Sequence, residues 1–256
     1  TNEMIARVIQ QALSETNIPQ AAIQLVPADQ GDMLRDLVTL DQPLDLVIPY
    51  GRASLFQQVL RQATIPVLKT TIGNCYLYWS PTGNTDILLH LIADSHKGEP
   101  DAVNAVEKVL IHRSCTPGAL AALFGDLKSD GFHLRGDDNL LFKYPGLEPV
   151  TETDWAKPYL DRTVAFKMVD SMDDAISWIN RYSSGHADCI VTDSYSESQK
   201  FIARANSATV YVNASSRFYR CSPSGHSVLL GMSNQRGHHW GTIGLHSLTT
   251  TKSIVH

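Results

Sequence analysis

Apolar residues in the N-terminal part of the chain recur in two patterns. Helical spacing is found over residues 3–16, with Asn2 as the predicted N-cap, and again over residues 30–39 and 53–62. Short apolar runs predict buried strands at Ile23–Val26, Leu44–Ile48 and Ile65–Leu68. Because these strands alternate with helices, the pattern predicts a parallel sheet with crossover helices and therefore an α/β fold.

The alternation continues along the chain. Residues 96–112 predict a helix end, a Gly-Pro break, a short second helix and a buried strand. The Gly- and Asp-rich segment after Gly136 predicts an exposed loop. Ser171 is the predicted N-cap of a further helix, whose first turn carries two aspartates that the helix dipole favours.

Composition restricts the possible classes of protein. The 256 residues are 43% hydrophobic and 18% charged, which is typical of a globular protein of one or two domains. The net charge of −5 gives no electrostatic reason to expect binding to nucleic acid or to an anionic membrane. No apolar run is long enough to span a bilayer, and the N-terminus lacks a signal-peptide pattern, so we expect a cytoplasmic protein.

The four cysteines are widely spaced and form no CxxC pair, which favours reduced thiols over zinc ligands or disulfides. Cys75 lies inside an apolar run, where a thiol is expected to be buried and inert. The segment Gly237–Trp240 contains adjacent histidines, and His246 follows. Adjacent histidines on an extended segment point to opposite faces, so no metal site is predicted.

Several segments resemble γ-glutamyl phosphate reductase, a member of the aldehyde dehydrogenase superfamily. In its active-site segment, a Pro is followed three residues later by the nucleophilic Cys, then by Asn-Ala and a Glu that leads into an apolar strand. Here Pro100, Asn104, Ala105 and Glu107 match this frame. Further similar blocks are Ile72–Tyr78, Ser129–Asp137, Tyr159–Asp161, Val164–Ile176, Ile179–His186, Thr209–Phe218 and Leu248–Val255.

The resemblance implies an aldehyde-dehydrogenase-like α/β fold with a partial Rossmann-type parallel sheet. It implies a dinucleotide-binding-like part over residues 1–97, a catalytic-type α/β domain over 98–235, and a return segment with an oligomerisation strand over 236–256. The family has a long N-terminal portion that is not matched here. A sheet that lacks its first strands has an unpaired edge, which invites pairing with another chain.

Three positions depart from the family pattern at sites with chemical roles. Val103 occupies the position of the nucleophilic Cys, and a hydrocarbon side chain cannot form a thioester. Pro158 stands where the family has a Glu that holds the nicotinamide ribose, and proline offers neither a carboxylate nor a backbone N–H. Residues 224–232 replace an acidic family loop and its Glu. No catalytic set is therefore intact, with Asn104 remaining beside Val103.

Two weaker binding sites follow from the resemblance. Gly51, Arg52 and Ser54 match a strand-to-helix turn that faces the dinucleotide pyrophosphate in the family, although a turn without a ligand fits these residues as well. Asn213, Ser215 and Arg217 are candidates for binding a substrate anion. An arginine that only satisfies loop carbonyls is an equal alternative for Arg217.

Three functions remain open. The first is a catalytically inactive relative that acts as a structural or regulatory subunit, binds no cofactor, and contacts protein partners or further copies through Leu248–Val255 and the open sheet edge. The second is an active NADP-dependent γ-glutamyl phosphate reductase of proline biosynthesis, for which Cys221 is the alternative thiol. The third is a sensor that binds a nucleotide or metabolite.

Overall fold

The computed structural model describes residues 1–26, 33–40, 42–51, 53–70, 72–98, 103–218, 228–235 and 239–255. These residues form two compact units. The first comprises residues 1–47 and 51–67, and the second comprises residues 48–50 and 68–256. Gly51 and Ser54 belong to the first unit, whereas Val103, Pro158 and Arg217 belong to the second.

The first unit is mainly helical. It contains α1 (Asn2–Ser14), a 3-10 helix (Gln20–Ala22), α2 (Met33–Val38) and α3 (Ala53–Gln62). The three predicted helices are confirmed over their described residues. The predicted cap is wrong, because α1 begins at Asn2 and Thr1 is its N-cap.

The strands predicted in the first unit are largely absent from its described residues. Residues 23–26 form no strand, and the side chains of Ile23, Leu25 and Val26 are exposed. The other two runs contribute an isolated parallel bridge between Val47 and Val67. An apolar run becomes a strand only where a neighbouring backbone completes the hydrogen-bonded ladder, and the described part of this unit offers little of one.

The second unit alternates strands and helices. In chain order these are β1 (Cys75–Trp79), α4 (Thr85–Ser95), β2 (Val106–His112), α5 (Pro117–Ser129), β3 (His133–Gly136), α6 (Asp138–Lys143), β4 (Glu148–Pro149), α7 (Glu152–Trp155), β5 (Thr163–Val169), α8 (Met172–Tyr182), β6 (Ala187–Val191), α9 (Tyr195–Arg204) and β7 (Thr209–Val212). A hairpin of β8 (Gly231–Gln235) and β9 (His239–Ile243) follows, then a 3-10 helix (Leu245–Leu248).

Strands β1 to β7 form one sheet in the order β4-β3-β5-β2-β1-β6-β7, and every pair in it is parallel. The predicted α/β class with a parallel sheet is confirmed. Because the strands are parallel, the segments that enter them meet at one edge, where residues 103–105, 158–162 and 183–186 lie. Strand β1 lies before the predicted domain boundary at residue 97 and strand β2 lies after it, yet the two strands are neighbours in this sheet. The predicted boundaries at residues 97 and 235 stay a prediction.

The core has two layers because β1 and β2 are buried on both faces. One layer packs side chains of α4 and α5 against Leu77, Val109 and Phe166. The other packs α8 and α9 against Tyr76 and Tyr78. Burial on both faces explains why β1 is a continuous apolar run in the sequence rather than an alternating one.

Side-chain caps set where several helices begin. The Ser171 hydroxyl accepts a hydrogen bond from the Asp174 N–H, which confirms the predicted cap of α8. Asp137 caps α6 in the same way, accepting from the Leu140 N–H. The loop predicted to follow Gly136 is therefore wrong, because Asp137 caps a short helix there instead. The predicted exposure is confirmed at Asp138, Asn139, Phe142 and Lys143.

Candidate functional site

The turn at Val103 and Asn104 lies at the amino end of β2. Val103 is half-buried and Asn104 is buried. The segment packs so closely on Gly73 that a Cβ atom there would lie 1.7 Å from the Val103 carbonyl oxygen. The short second helix predicted between the break and the strand is not formed at residues 103–104, which are a turn, and residues 99–102 lie outside the described part.

His186 holds this turn from the amino end of β6. Its Nε2 atom lies 2.8 Å from the Val103 carbonyl oxygen and 2.9 Å from Asn104 Oδ1, while its Nδ1 atom lies 2.8 Å from the Ser184 hydroxyl. Nε2–H donating to the carbonyl and Nδ1 accepting from Ser184 satisfies this geometry with a neutral ring. Burial lowers the pKa of His186 to about 4, consistent with that form.

Cys75 is the thiol nearest to the turn among the described residues. Its Sγ atom lies 3.8 Å from the Val103 carbonyl oxygen and 3.6 Å from His186 Nε2. The residue is fully buried, and burial raises the pKa of its thiol, with the carboxylate of Asp188 adding to the effect. A buried protonated thiol is a poor nucleophile, so Cys75 has the inert character predicted from its apolar run.

Two charged residues are buried immediately after the turn. Glu107 accepts hydrogen bonds from the backbone N–H groups of Tyr159 at 2.5 Å and Leu160 at 2.8 Å. Lys108 Nζ lies 3.5 Å from a Glu107 oxygen and 3.7 Å from the centre of the Tyr159 ring. Burial raises the pKa of Glu107 and lowers that of Lys108 to about 8, and each charge partly offsets the shift of the other.

Pro158 is half-buried directly before this anchored pair of amides. It supplies no carboxylate and no N–H at the position where the resemblance implies a ribose-binding Glu. Leu160 has a φ of 59°, a left-handed conformation that costs a leucine free energy. The segment that carries residue 158 is therefore strained at one residue and fastened by Glu107.

The three predicted anion-binding residues are divided between two places. Ser215 donates to Asp94 at 2.7 Å, and Arg217 Nη1 lies 3.6 Å from the same carboxylate. Asn213 instead brackets Thr192, accepting from its N–H at 3.0 Å and donating to its carbonyl at 2.8 Å. An anion that binds Arg217 has to compete with the Asp94 carboxylate. Asn213 already bonds both backbone groups of Thr192, at the carboxyl end of β6.

A buried acid lies next to the turn, on β6. Asp188 accepts from the Tyr76 N–H at 2.8 Å and from the hydroxyls of Ser183 and Ser207. Burial raises its pKa to about 7, and these hydrogen bonds oppose the rise. Sequence reasoning placed Glu107 in the frame of the active-site segment without giving it a role, and it missed Asp188, His186 and Lys108 as parts of the site. The signal for Asp188, Glu107 and Lys108 was a charge inside or beside an apolar run, which is costly to bury without a partner.

Several predicted features fall wholly or partly outside the described residues. These are Arg52, Cys221, His238 and residues 224–227 of the segment 224–232. His239 Nε2 lies 2.6 Å from the Thr242 carbonyl oxygen and 3.0 Å from the Ser247 hydroxyl. Within the described ranges, no three His, Cys, Asp or Glu side chains are grouped as metal ligands, and no helix is long and apolar enough to cross a bilayer.

Gly51 and Ser54 lie at the start of α3 in the first unit. Gly51 has a φ of +150°, and a Cβ atom there would lie 3.0 Å from Leu55 Cδ2. Ser54 is exposed in the first turn of the helix. A ten-residue helix presents its first N–H groups at this end, which is the geometry that phosphate groups bind.

Proteins of known identity resemble the chain over almost all of its length. It is 44% identical over 252 residues to γ-glutamyl phosphate reductase 2 of Synechocystis, covering 98% of this chain and 60% of that protein. It is 38% identical over 255 residues to the γ-glutamyl phosphate reductase of Gloeobacter violaceus, covering 61% of that protein. The chain thus spans about three fifths of the length of these relatives. No family model matches the chain.

Solved structures agree with the sequence comparison. The crystal structure of γ-glutamyl phosphate reductase from Thermotoga maritima superposes with a TM-score of 0.90 at 35% identity, covering 98% of this chain and 61% of that one. A probable aldehyde dehydrogenase from Listeria monocytogenes shares the fold, with a TM-score of 0.71 at 14% identity, over 98% of this chain and 66% of that one. The chain is therefore homologous to the γ-glutamyl phosphate reductases and has the fold of the aldehyde dehydrogenase superfamily.

Proposed function

We propose that the chain is part of a γ-glutamyl phosphate reductase, which reduces an acyl phosphate to an aldehyde with NADPH and releases phosphate. The observation that carries this proposal is the 44% identity to the Synechocystis reductase over 98% of the chain, joined to the TM-score of 0.90 with the Thermotoga structure. When bound, NADPH supplies the hydride. The proposal includes a cytosolic setting, supported by the free thiols of Cys75, Cys115 and Cys189.

The described residues fit the cofactor in part. Gly51 and Ser54 at the start of α3 suit a pyrophosphate, since the helix N-terminus directs N–H groups outward. Pro158 does not suit the ribose, because it has neither an acceptor carboxylate nor a donor N–H. NADPH affinity is therefore expected to be weaker than that of a protein with glutamate at this position.

A second candidate function is favoured by Val103. A valine at the place of the nucleophile leaves no group for a covalent acyl intermediate, and the nearest described thiol, Cys75, is buried and protonated. In this case the chain is catalytically silent and acts as a structural or regulatory subunit, or as a sensor of the nucleotide. The segment Leu248–Val255, which forms no strand within the chain, is then the surface that adds to a partner or to a second copy.

One assay separates the two candidates. The full chain and its Val103→Cys and Val103→Ala variants are mixed with glutamate semialdehyde, phosphate and NADP, and formation of NADPH is followed by absorbance. Activity of the wild type supports the reductase and rejects the silent subunit. Activity that appears only in V103C, with V103A as the matched inactive control, supports the silent subunit.

Two further measurements test the remaining parts of the second candidate. A thermal shift with millimolar NADPH supports a nucleotide sensor, and no shift rejects it. Analytical ultracentrifugation of the chain, with and without residues 248–255, tests whether that segment holds copies together. An unchanged mass after truncation rejects the role of the segment in assembly.

A further inference from the structure

Strand β2 follows residue 103 closely in the chain, and one of its side chains bonds the segment Pro158–Leu160. Strand β2 begins three residues after Val103, and its second residue, Glu107, accepts hydrogen bonds from the consecutive N–H groups of Tyr159 and Leu160. A carboxylate that accepts two consecutive N–H groups fixes both the position and the direction of the backbone that donates them. The segment is thereby held at a set distance from the turn at Val103.

The left-handed backbone of Leu160 indicates that contacts restrain this segment. Its φ of 59° costs a leucine roughly 1–2 kcal/mol, and such a conformation persists only where surrounding contacts impose it. The Leu160 side chain is 36% exposed, so packing contributes only part of the restraint. The hydrogen bond from the Leu160 N–H to Glu107 can impose the left-handed conformation, because it acts on the strained residue itself.

Lys108 contacts both Glu107 and Tyr159. Its side chain is fully buried, and its Nζ atom lies against both the Glu107 carboxylate and the face of the Tyr159 ring. A cation over an aromatic ring is attracted to it, so Lys108 restrains the side chain of the same residue whose N–H is bound by Glu107. The other titratable or charged groups facing the pair are Cys75 on β1, His96 after α4, Asp154 on α7 and Arg135 on β3, the last 5.3 Å from the Tyr159 ring centre.

We propose that Glu107 is the positioning residue for the segment Pro158–Leu160, and that Lys108 supplies the counter-charge that keeps its carboxylate able to accept both N–H groups. The anchoring is independent of catalysis. Only its purpose, which is to set the distance between positions 103 and 158, rests on the proposed function. The hydrogen bonds from Glu107 to this segment can therefore be tested separately from the activity of the chain.

The test is amide hydrogen exchange followed by mass spectrometry on overlapping peptides across residues 156–169. In the wild type at pH 7, the amides of Tyr159 and Leu160 are expected to be protected. In Glu107→Gln their protection is expected to fall at least tenfold while the amides of β5 keep theirs. The control Glu15→Gln, at an exposed residue of the first unit, is expected to leave both sets unchanged.

The pH profile provides a readout that a purely structural side chain would not change. Protection of the two amides, corrected for intrinsic exchange, is expected to be lost on acidification at a higher pH in Lys108→Met than in the wild type, because Glu107 without its cation is protonated more readily. Lys200→Met, which removes a surface ion pair with Asp173, is the control. Protection that survives in E107Q, or a profile that does not move in K108M, overturns the proposal.

The wild type alone also tests the proposal if E107Q does not fold. On acidification of the unmodified chain, the amides of Tyr159 and Leu160 are expected to lose protection before those of β5 do. Simultaneous loss would mean that the segment is held by the fold as a whole and not by the Glu107 carboxylate. That outcome overturns the proposal without any variant.

Discussion

The Nε2 atom of His186 lies 2.8 Å from the carbonyl oxygen of Val103, so the backbone at residue 103 is held by a side chain that directly precedes β6. Asn104 Oδ1 approaches the same nitrogen at 2.9 Å. The turn is thus held through its main chain and through Asn104, and the side chain at position 103 takes no part in these hydrogen bonds. We therefore expect substitutions at residue 103 to leave the turn in place.

Gly73 is predicted to be indispensable to this turn. In Gly73→Ala the added Cβ atom meets the Val103 carbonyl oxygen at 1.7 Å and His186 Cε1 at 3.0 Å, and backbone atoms cannot rotate away. We expect a loss in the free energy of unfolding of about 3 kcal/mol or more, measured by urea denaturation.

Gly125→Ala is the matched control for that substitution. A Cβ atom at Gly125, inside α5, meets nothing within 4 Å, so alanine is expected to raise the free energy of unfolding by about 0.5–1 kcal/mol through its helix propensity. Equal stabilities of the two variants would contradict the close packing at Gly73.

His186→Leu is expected to lower the free energy of unfolding by about 1–3 kcal/mol, because the buried Val103 carbonyl loses its donor. The effect depends on pH. The folded pKa of about 4 lies below the ordinary 6.5, so between these values the unfolded state binds more protons and the contribution of His186 to stability rises with pH.

The difference in stability between wild type and His186→Leu is therefore expected to grow from about pH 4 to about pH 6.5 and then to level off. Urea denaturation at half-unit intervals of pH measures it. His186→Gln, whose amide keeps a donor for the Val103 carbonyl, should recover part of the stability without the pH dependence. A difference that is constant across this range would show that the imidazole does not become harder to protonate on folding.

Asp188→Asn is expected to act in the opposite direction. The folded pKa of about 7 lies above the ordinary 3.8, so the folded state binds more protons between these values and the contribution of Asp188 to stability falls as pH rises. An asparagine removes this dependence, and the hydroxyls of Ser183 and Ser207 can reorient to accept from its amide. The stability of Asp188→Asn relative to the wild type should therefore increase as pH rises from 4 to 8. A difference in stability that stays constant over this range would contradict the raised pKa of Asp188.

The sequence was sufficient to predict an α/β fold with a parallel sheet, but not the order of its strands or the contacts that build the site. The run Cys75–Trp79 is apolar throughout, which is typical of a strand covered on both faces, whereas Val106–His112 contains the buried charges of Glu107 and Lys108. The run Ile23–Val26 is also mainly apolar but forms no strand, because pairing depends on a neighbouring strand that composition does not reveal. In the same way, the contact of Glu107 with Tyr159 and Leu160 joins positions far apart in the chain.

The thiols of Cys75 and Cys189 are predicted to resist alkylation. Both are fully buried, and burial raises the pKa of each thiol well above its ordinary value. Iodoacetamide at pH 8 should modify neither until the chain unfolds, whereas Cys115, which is half-buried with a pKa raised to about 11, should react slowly in the folded chain. Mass spectrometry of tryptic peptides identifies the modified residues, and prompt labelling of Cys75 would contradict its inert character.

The strand order places β1, the first strand of the sheet to be synthesised, between β2 and β6. Its partner β2 follows after one helix, but Leu77 pairs with Cys189 on β6, which emerges from the ribosome much later. One edge of β1 must therefore stay unpaired while α5 to α8 form, and closing that distance slows folding because a long loop has to be ordered before the contact is gained. During this interval the exposed edge of an entirely apolar strand is the part of the nascent chain most prone to aggregate.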